Sequence, residues 1–284
     1  MSDSARPGRR YSLLDVFTDT SFTGNPLAVF EEGEGLSFFE MQRLARELNL
    51  SESVFLLPPA AGGDARLRIF TPALELPFAG HPVLGAAFLL SSRKGGGPVV
   101  LETAAGSVPV SFGEKEPTVG WMAQPLPRIY RYERAGEVLA ALGLEAAVLP
   151  LEAYENGPVH LCVALESPAQ VARLRPDMAA LSGHAGLGVS CFAGEAGRFK
   201  TRMFGPALGV SEDPATGSAA GPVCLHLARH GRVGFGETIE LSQGEEIGRP
   251  SLLFARVDGS PAAIGSVEVG GAAVVVGRGE ITAG

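Results

Sequence analysis

The sequence RIFTPALELPFAGHPVLGAAFLL, residues 68–90, has a second copy later in the chain, RMFGPALGVSEDPATGSAAGPVCLHL, residues 202–227. Over Arg68–Leu74 and Arg202–Leu208, five of seven positions are identical at a constant offset of 134 residues. Self-similarity at a fixed offset is typical of a duplicated structural unit. This stretch therefore predicts a chain built from two related halves.

Two further landmarks recur in the same order. Ala79–Gly85 aligns with Ala215–Gly221 at an offset of 136 residues, and the turn Gly24-Asn25-Pro26 has a counterpart in Asn156-Gly157-Pro158. Chance similarity of Gly- and Ala-rich sequence could explain the turn alone. Three landmarks in one order favour a tandem duplication of a unit of roughly 130 residues. A cleft between two such halves is a natural ligand site.

Each unit is expected to mix helices and strands. Apolar side chains at three- and four-residue steps predict an amphipathic helix over residues 37–48 that ends at Asn49. Apolar runs bounded by turn residues predict the other elements: strands over 11–18, 27–30, 54–57, 66–70 and 159–165, a hairpin over 99–110 around Gly106, and a helix over 168–181. The two prolines of Met122–Arg128 suit a linker. We expect an α+β fold with an N-terminal domain of residues 1–127 and a C-terminal domain of residues 128–271.

The bulk composition restricts the kind of partner. The chain has 284 residues, a formal net charge of -8 and a pI near 5.2. That charge argues against nucleic acid, because phosphate binding needs clustered Lys and Arg. The apolar runs fall far short of the about 18 residues of a membrane span, and MSDSARPGRRYSLLDVF lacks the apolar stretch of a secretory signal. We expect a cytoplasmic protein with a small-molecule partner.

The cysteines do not form a recognisable motif. Cys162, Cys191 and Cys224 lie far apart, without a CxxC or HExxH pattern, so we expect three buried, reduced thiols, no disulfide framework and no metal site. The chain also lacks the P-loop and GxGxxG strings of nucleotide-binding proteins. We expect no cofactor.

Both copies lead from a loop into a helix of small residues, at PFAGHPVLGAAFLL and SEDPATGSAAGPVCLHL. A helix N-terminus carries unpaired N–H groups and about half a positive charge, so two of them facing across a cleft predict a clamp for a carboxylate. Pro82 suits the first turn of its helix, and Thr216 and Ser218 offer capping or ligand hydroxyls. The alternative is two well-capped core helices. His81 and Asp213, which capping does not require, favour a site.

His81 lies between Gly80 and Pro82, where a small residue would suffice, and its imidazole can donate, accept or carry a proton near neutral pH. We interpret the other histidines as structural: His184 as part of an exposed turn, and His160, His226 and His230 as packed or surface residues.

Glu52 is the third candidate, at the junction between the first helix and a strand. The apolar residues 54–57 follow it, so partial desolvation is expected to raise its pKa towards the range useful for proton transfer. Spacing alone does not distinguish Glu52 from the other acidic residues, and it has no evident acidic counterpart in the second half.

Four segments spread over most of the chain resemble the signature segments of the phenazine-biosynthesis PhzF-like family. They are DVFTDTSFTGNPLAVF, NLSESVFLL, FTPALELPFAGHPVLGAAF and EDPATGSAAG. The resemblance implies two similar domains of the diaminopimelate-epimerase type, each a curved, mostly antiparallel sheet around a central helix. It also implies that the last strands, at about residues 272–284, complete the N-terminal domain, and that the protein is a homodimer.

In the phenazine-pathway isomerase of this family, a glutamate shuttles a proton on dihydro-hydroxyanthranilate with the help of a histidine, an aspartate and a serine. By motif position, the resemblance implies Glu52, His81 and Asp213 as catalytic residues. It also places the assisting serine at Ser218 and a backbone contact at Gly80. Together with Thr216 and Gly217, which lie at the second helix start, these are the expected substrate-binding residues.

Related epimerases and racemases use two opposed cysteines, where Ala79 and Ala215 stand here. None of the three cysteines lies in either loop, which excludes two-thiol chemistry. We expect a cofactor-independent isomerase that moves a proton on a small carboxylate-bearing substrate. Two alternatives stay open: a non-catalytic small-carboxylate binding protein, and an isomerase or epimerase of an unrelated metabolite on the same fold.

Overall fold

The computed structural model describes residues 8–113 and 119–282. Residues 1–7, 114–118 and 283–284, all within the expected N-terminal domain, lie outside the described residues, and so does the start of the stretch considered for a secretory signal. The first half contains the strands β1 (Arg9–Val16), β2 (Asn25–Phe30), β3 (Glu52–Leu57), β4 (Ala65–Phe70), β5 (Glu75–Leu76), β6 (Val99–Thr103), β7 (Gly106–Phe112) and β8 (Gly120–Ala123). Its helices are α1 (Phe38–Leu48) and α2 (Gly80–Arg93).

The second half begins after the predicted linker. Its strands are β9 (Arg128–Arg131), β10 (Glu152–Glu155), β11 (Val159–Ala164), β12 (Leu187–Glu195), β13 (Arg198–Gly205), β14 (Val210–Asp213), β15 (Thr238–Gln243), β16 (Ser251–Ser260), β17 (Ala263–Gly271) and β18 (Ala273–Ile281). Its helices are α3 (Ala135–Ala141), α4 (Pro168–Arg173), α5 (Met178–Ser182) and α6 (Gly217–Arg229).

The two halves repeat one pattern of strand pairing. In the first half β2 pairs in parallel with β3, β3 pairs antiparallel with β4, and β4 pairs antiparallel with β5 and in parallel with β6. Strands β11 to β15 repeat these four pairings in the same order and directions. The α+β fold class and the duplication predicted from the sequence are confirmed.

The repeat extends to an ion pair. Arg68 on β4 contacts Glu75 on β5 through two hydrogen bonds of 2.7 Å, and Arg202 on β13 contacts Glu212 on β14 through two of 2.8 Å. Each guanidinium matches its carboxylate with two parallel N–H donors. Each pair therefore holds the strand that leads into the following helix.

Among the described residues, two strand pairings connect the halves. β8 pairs antiparallel with β17, and β1 pairs antiparallel with the last strand, β18. In the second half, β9 pairs with β10. This position is equivalent to that of β18 beside β1 in the first half. The C-terminal strand is thus hydrogen-bonded to the N-terminal strand.

The central helices α2 and α6 fill the concave faces of the sheet. α2 packs against β1, β2, β3, β6, β7, β8 and β18, and α6 packs against β11, β12, β16 and β17. Leu84 on α2 and Leu225 on α6 are fully buried in one apolar core shared by both halves. Burying such a side chain contributes about 1.5–3 kcal/mol. In the part of the chain that is described, no helix is long and apolar enough to cross a membrane.

The predicted first helix is confirmed and the predicted second-half helix is wrong in length. Ser37 and Glu40 form a reciprocal capping box at the start of α1, and Asn49 ends it in the left-handed conformation. Residues 168–181 form two short helices, α4 and α5, instead of one. Pro176 lies between them, where its ring and missing N–H prevent a continuous helix.

Candidate active site

The starts of the two central helices meet at the interface of the halves. A Cβ atom placed on Gly80 would lie 3.1 Å from the backbone of Gly217 and Ser218. Glycine at position 80 therefore permits the close approach of the two helix starts. The first helical residues, Gly80 and Gly217, are 137 residues apart, which agrees with the offset of 136 from the sequence to within the one or two residues by which helix ends are assigned.

A cavity of about 500 Å³ opens beside this contact. It has the size of a small-molecule site. Every site residue predicted from the sequence lines it: Glu52, Gly80, His81, Asp213, Thr216, Gly217 and Ser218. Apolar residues from both halves complete the wall, among them Leu74, Leu76, Phe78, Met203, Leu208 and Val210.

Glu52 is the first residue of β3, and its side chain is 16% exposed. Burial, with a smaller contribution from the charge of Asp213, raises its pKa from 4.5 to about 8. The raised pKa expected from its apolar surroundings is present. At neutral pH the carboxyl group is therefore mostly protonated, and it loses its proton close to physiological pH.

His81, the second residue of α2, is buried, and burial lowers its pKa to about 3. Its Nε2 lies 3.4 Å from Glu52 Oε2. Among the described residues, Nε2 has no hydrogen-bond partner. Because the imidazole is neutral and Glu52 mostly protonated, the contact is one between two neutral groups that can exchange a proton with a ligand, not an ion pair.

Asp213 is the last residue of β14 and lines the cavity. Burial raises its pKa to about 6, although Thr216 Oγ1 and Asn25 Nδ2 both donate to the carboxylate, at 2.6 and 2.9 Å. Gln243 Nε2 in turn donates to Thr216 Oγ1 at 2.9 Å. The hydroxyl of Thr216 thus holds Asp213 in place and makes no cap hydrogen bond at the start of α6.

A proline inside α6 shapes its first turn. Pro222 has no N–H to donate to the carbonyl of Ser218, four residues earlier. Asn156 Nδ2 donates to that carbonyl instead, at 3.0 Å, and Gln124 Nε2 donates to the carbonyl of Gly217 at 2.8 Å. Side chains outside the helix therefore fix the position of the α6 start.

His160 is a site residue that the sequence analysis missed. It lines the cavity, only 1% of it is exposed, and its Nε2 lies 3.0 Å from Ser218 Oγ. Its place on β11, directly after the Asn-Gly-Pro turn, could have indicated it. The interpretation of His184 as an exposed turn is also wrong: it is buried, and its ring contacts Tyr132 Oη at 2.9 Å.

One cluster outside the cavity has metal-ligating side chains. Ligand atoms of Glu152, His226 and His230 lie within 4.8 Å of one another, and none of these residues lines the cavity. Arg229 Nη1 donates to the same carboxylate oxygen at 2.6 Å, so a guanidinium already neutralises that charge. The three cysteines are free and buried, as predicted.

Comparison with known proteins agrees with this architecture. The family model described as phenazine biosynthesis-like protein matches residues 14–279. The chain is 49% identical over 273 residues to trans-2,3-dihydro-3-hydroxyanthranilate isomerase of Pseudomonas aeruginosa, an alignment that covers 95% of this chain and 98% of the relative. The predictions of the family and of an isomerase are confirmed.

Solved structures show the same fold. A phenazine biosynthesis protein of the PhzF family from Bacillus anthracis matches with a TM-score of 0.85 at 24% identity, over 97% of this chain and 99% of the other. A predicted epimerase from Pseudomonas aeruginosa matches with a TM-score of 0.80 at 34% identity, over 97% and 100%. The chain therefore belongs to the family of phenazine biosynthesis-like proteins and has the duplicated fold that this family shares with epimerases.

Proposed function

We propose that this protein isomerises trans-2,3-dihydro-3-hydroxyanthranilate, or a cyclic carboxylate closely like it, by moving one proton between two carbon atoms. Glu52 is the proton carrier. The observation that carries the proposal is its position: a buried carboxyl group with a pKa of about 8 lines the cavity. A general base is most effective when its pKa lies close to the working pH.

The helix starts provide the place for the carboxylate of the substrate. The first N–H groups of α2 and α6 have no partners within their helices, and the helix dipoles favour an anion there. We assign Gly80, Gly217 and Ser218 to this anion site. Thr216 contributes indirectly, since its hydroxyl is engaged with Asp213.

The reaction then needs three changes. Ionised Glu52 takes a proton from one carbon, the electron pair of that C–H bond shifts the double bond, and Glu52 returns the proton to another carbon. Neutral His81, 3.4 Å from Glu52, orients the carboxyl group and the substrate. Asp213, held by Thr216 and Asn25, accepts a hydrogen bond from a polar group of the substrate.

The test uses Glu52→Gln, which keeps the shape of the side chain and removes its acid–base function. Wild-type and variant protein are given trans-2,3-dihydro-3-hydroxyanthranilate in deuterium oxide, and product and isotope content are followed by NMR. We expect the variant to lose activity by about three or more orders of magnitude while folded. The matched control is Glu47→Gln, an exposed carboxyl group on α1. Full activity of Glu52→Gln would refute the assignment.

The same experiment separates the rival functions. A binding protein would return the ligand unchanged and without deuterium. An isomerase of another metabolite would leave this compound unchanged but incorporate deuterium into other cyclic carboxylates.

Three further features belong to the proposal. The family to which the chain belongs supports a cytoplasmic location and a homodimer. Sedimentation of the purified protein would test the homodimer. The pairing of β1 with β18 supports an N-terminal domain of residues 1–127 completed by residues 272–284, which leaves residues 128–271 as the C-terminal domain.

A further inference from the structure

Two pairs of residues on neighbouring strands occupy equivalent places in the two halves, and one residue of each pair, Glu52 or His160, lines the cavity. On β2 and β3, Leu27 pairs with Glu52, and on β11 and β12, His160 pairs with Gly188. Leu27 contacts α2 and His160 contacts α6. Gly188 is therefore the structural counterpart of Glu52.

The imidazole of His160 fills the space left open at Gly188. A Cβ atom on Gly188 would lie 3.1 Å from His160 Nδ1. In one half a carboxyl group on β3 reaches His81 at the second position of α2. In the other half the imidazole from β11 reaches Ser218, the second residue of α6, at 3.0 Å. The two halves thus bring different side chains, from different strands, to the second residue of the central helix.

The surroundings of His160 select one tautomer. Burial lowers its pKa to about 4, so the ring is neutral at pH 7 and carries one N–H. Nδ1 is buried and has no partner among the described residues. A hydrogen on Nδ1 would be a buried, unpaired donor, which costs about 1–3 kcal/mol. A hydrogen on Nε2 is donated to Ser218 Oγ, and this tautomer is favoured.

This tautomer determines where the serine proton points. Because Ser218 Oγ accepts from His160, its own O–H is free to donate elsewhere, and Ser218 lines the cavity. Asn156 holds the backbone carbonyl of the same serine at 3.0 Å. Two side chains that are close in sequence, Asn156 from one turn and His160 from the strand after it, thus fix the backbone carbonyl and the hydroxyl of Ser218.

We propose that His160 is a positioning residue that presents the Ser218 hydroxyl proton to an anionic oxygen of the substrate. His160 acts through Ser218 and not on the reacting carbon. The role rests on the proposed function only in naming the substrate, since any carboxylate bound at the helix starts would use the same donor.

A double-mutant cycle tests the proposal. The four proteins are wild type, His160→Leu, Ser218→Ala and the double variant. Each is assayed by steady-state kinetics with trans-2,3-dihydro-3-hydroxyanthranilate and by calorimetric binding of anthranilate. His160→Gln tests rescue, because its amide N–H can also reach Ser218. The matched control is His184→Leu, which removes a buried imidazole that also contacts a hydroxyl group but does not line the cavity.

We expect His160→Leu and Ser218→Ala each to raise KM and the Kd of anthranilate about 10-fold, with kcat changed by less than about 2-fold. In the Ser218→Ala background, the further change His160→Leu should have no additional effect. In the protein that keeps Ser218, His160→Gln should give values within about 3-fold of wild type. Additive effects, a failure of His160→Gln to rescue, or a loss confined to kcat would each overturn the proposal. If wild type does not isomerise the compound, the proposed function fails, while the anthranilate cycle still decides the role of His160.

Discussion

Replacing Glu52 by Gln is expected to stabilise the protein relative to wild type, by an amount that grows as the pH rises. The pKa of Glu52 is about 8 in the folded protein and 4.5 in an unfolded chain. Between these values the unfolded state binds fewer protons at this position, so the free energy of unfolding falls as the pH rises. Glutamine does not titrate and removes this loss. The proposed proton carrier therefore costs stability at the pH where it would work.

The size of the effect follows from the two pKa values. At 1.36 kcal/mol per unit of pKa, the full difference corresponds to about 5 kcal/mol. Between pH 5 and pH 8 alone, Glu52 is expected to cost wild type about 3–4 kcal/mol. A pH-independent effect of the amide group adds a constant to the difference in the free energy of unfolding. It does not change how that difference depends on pH.

Urea denaturation at pH 5, 6, 7 and 8 measures the difference between Glu52→Gln and wild type. The contributions of His81 and Asp213 that do not depend on the charge of Glu52 are the same in both proteins and cancel, so the difference reports Glu52 together with its coupling to Asp213. Glu47→Gln, at an exposed position, is the control and should change by less than about 0.5 kcal/mol. A difference that stays constant from pH 5 to pH 8, or one that decreases, would refute the burial argument.

Two further predictions concern activity and packing. Because Glu52 must be ionised to take a proton, kcat/KM should rise about 10-fold per pH unit up to about pH 8 and then level off; a profile that is flat between pH 6 and 8 would contradict this. Gly80→Ala places a methyl group 3.1 Å from the backbone of Gly217 and Ser218, so we expect about 1–3 kcal/mol of lost stability and weaker anthranilate binding. Gly136→Ala, which meets open space, is the control; equal melting temperatures for both variants would count against the close contact.

The pattern of small residues, turns and apolar periods was enough to predict much of the architecture. The repeated RIFTPAL and RMFGPAL segments revealed the duplication, and α1 was predicted with its end at Asn49. These features are local, since they depend on side chains a few residues apart. The boundary errors, such as the single helix predicted over residues 168–181, arose where a proline interrupts an otherwise helical apolar pattern.

The candidate site was found from sequence only where a motif surrounds a residue. His81 and Asp213 lie in the two helix-start loops, and Glu52 was indicated by family resemblance. His160 has no motif of its own, and its partner Ser218 lies 58 residues away. That contact is created by strand pairing, which brings β11 next to the start of α6.

The sequence by itself determined that this protein is a duplicated α+β chain of the phenazine biosynthesis-like type, because the repeat, the helix starts and the signature segments are local patterns of residues. Only the tertiary structure decided how the halves differ at the cavity. The place of Glu52 is taken in the other half by Gly188 and the His160 ring. The raised pKa of Glu52 also depends on the fold, since desolvation comes from side chains that lie far apart in sequence and meet only in the folded chain.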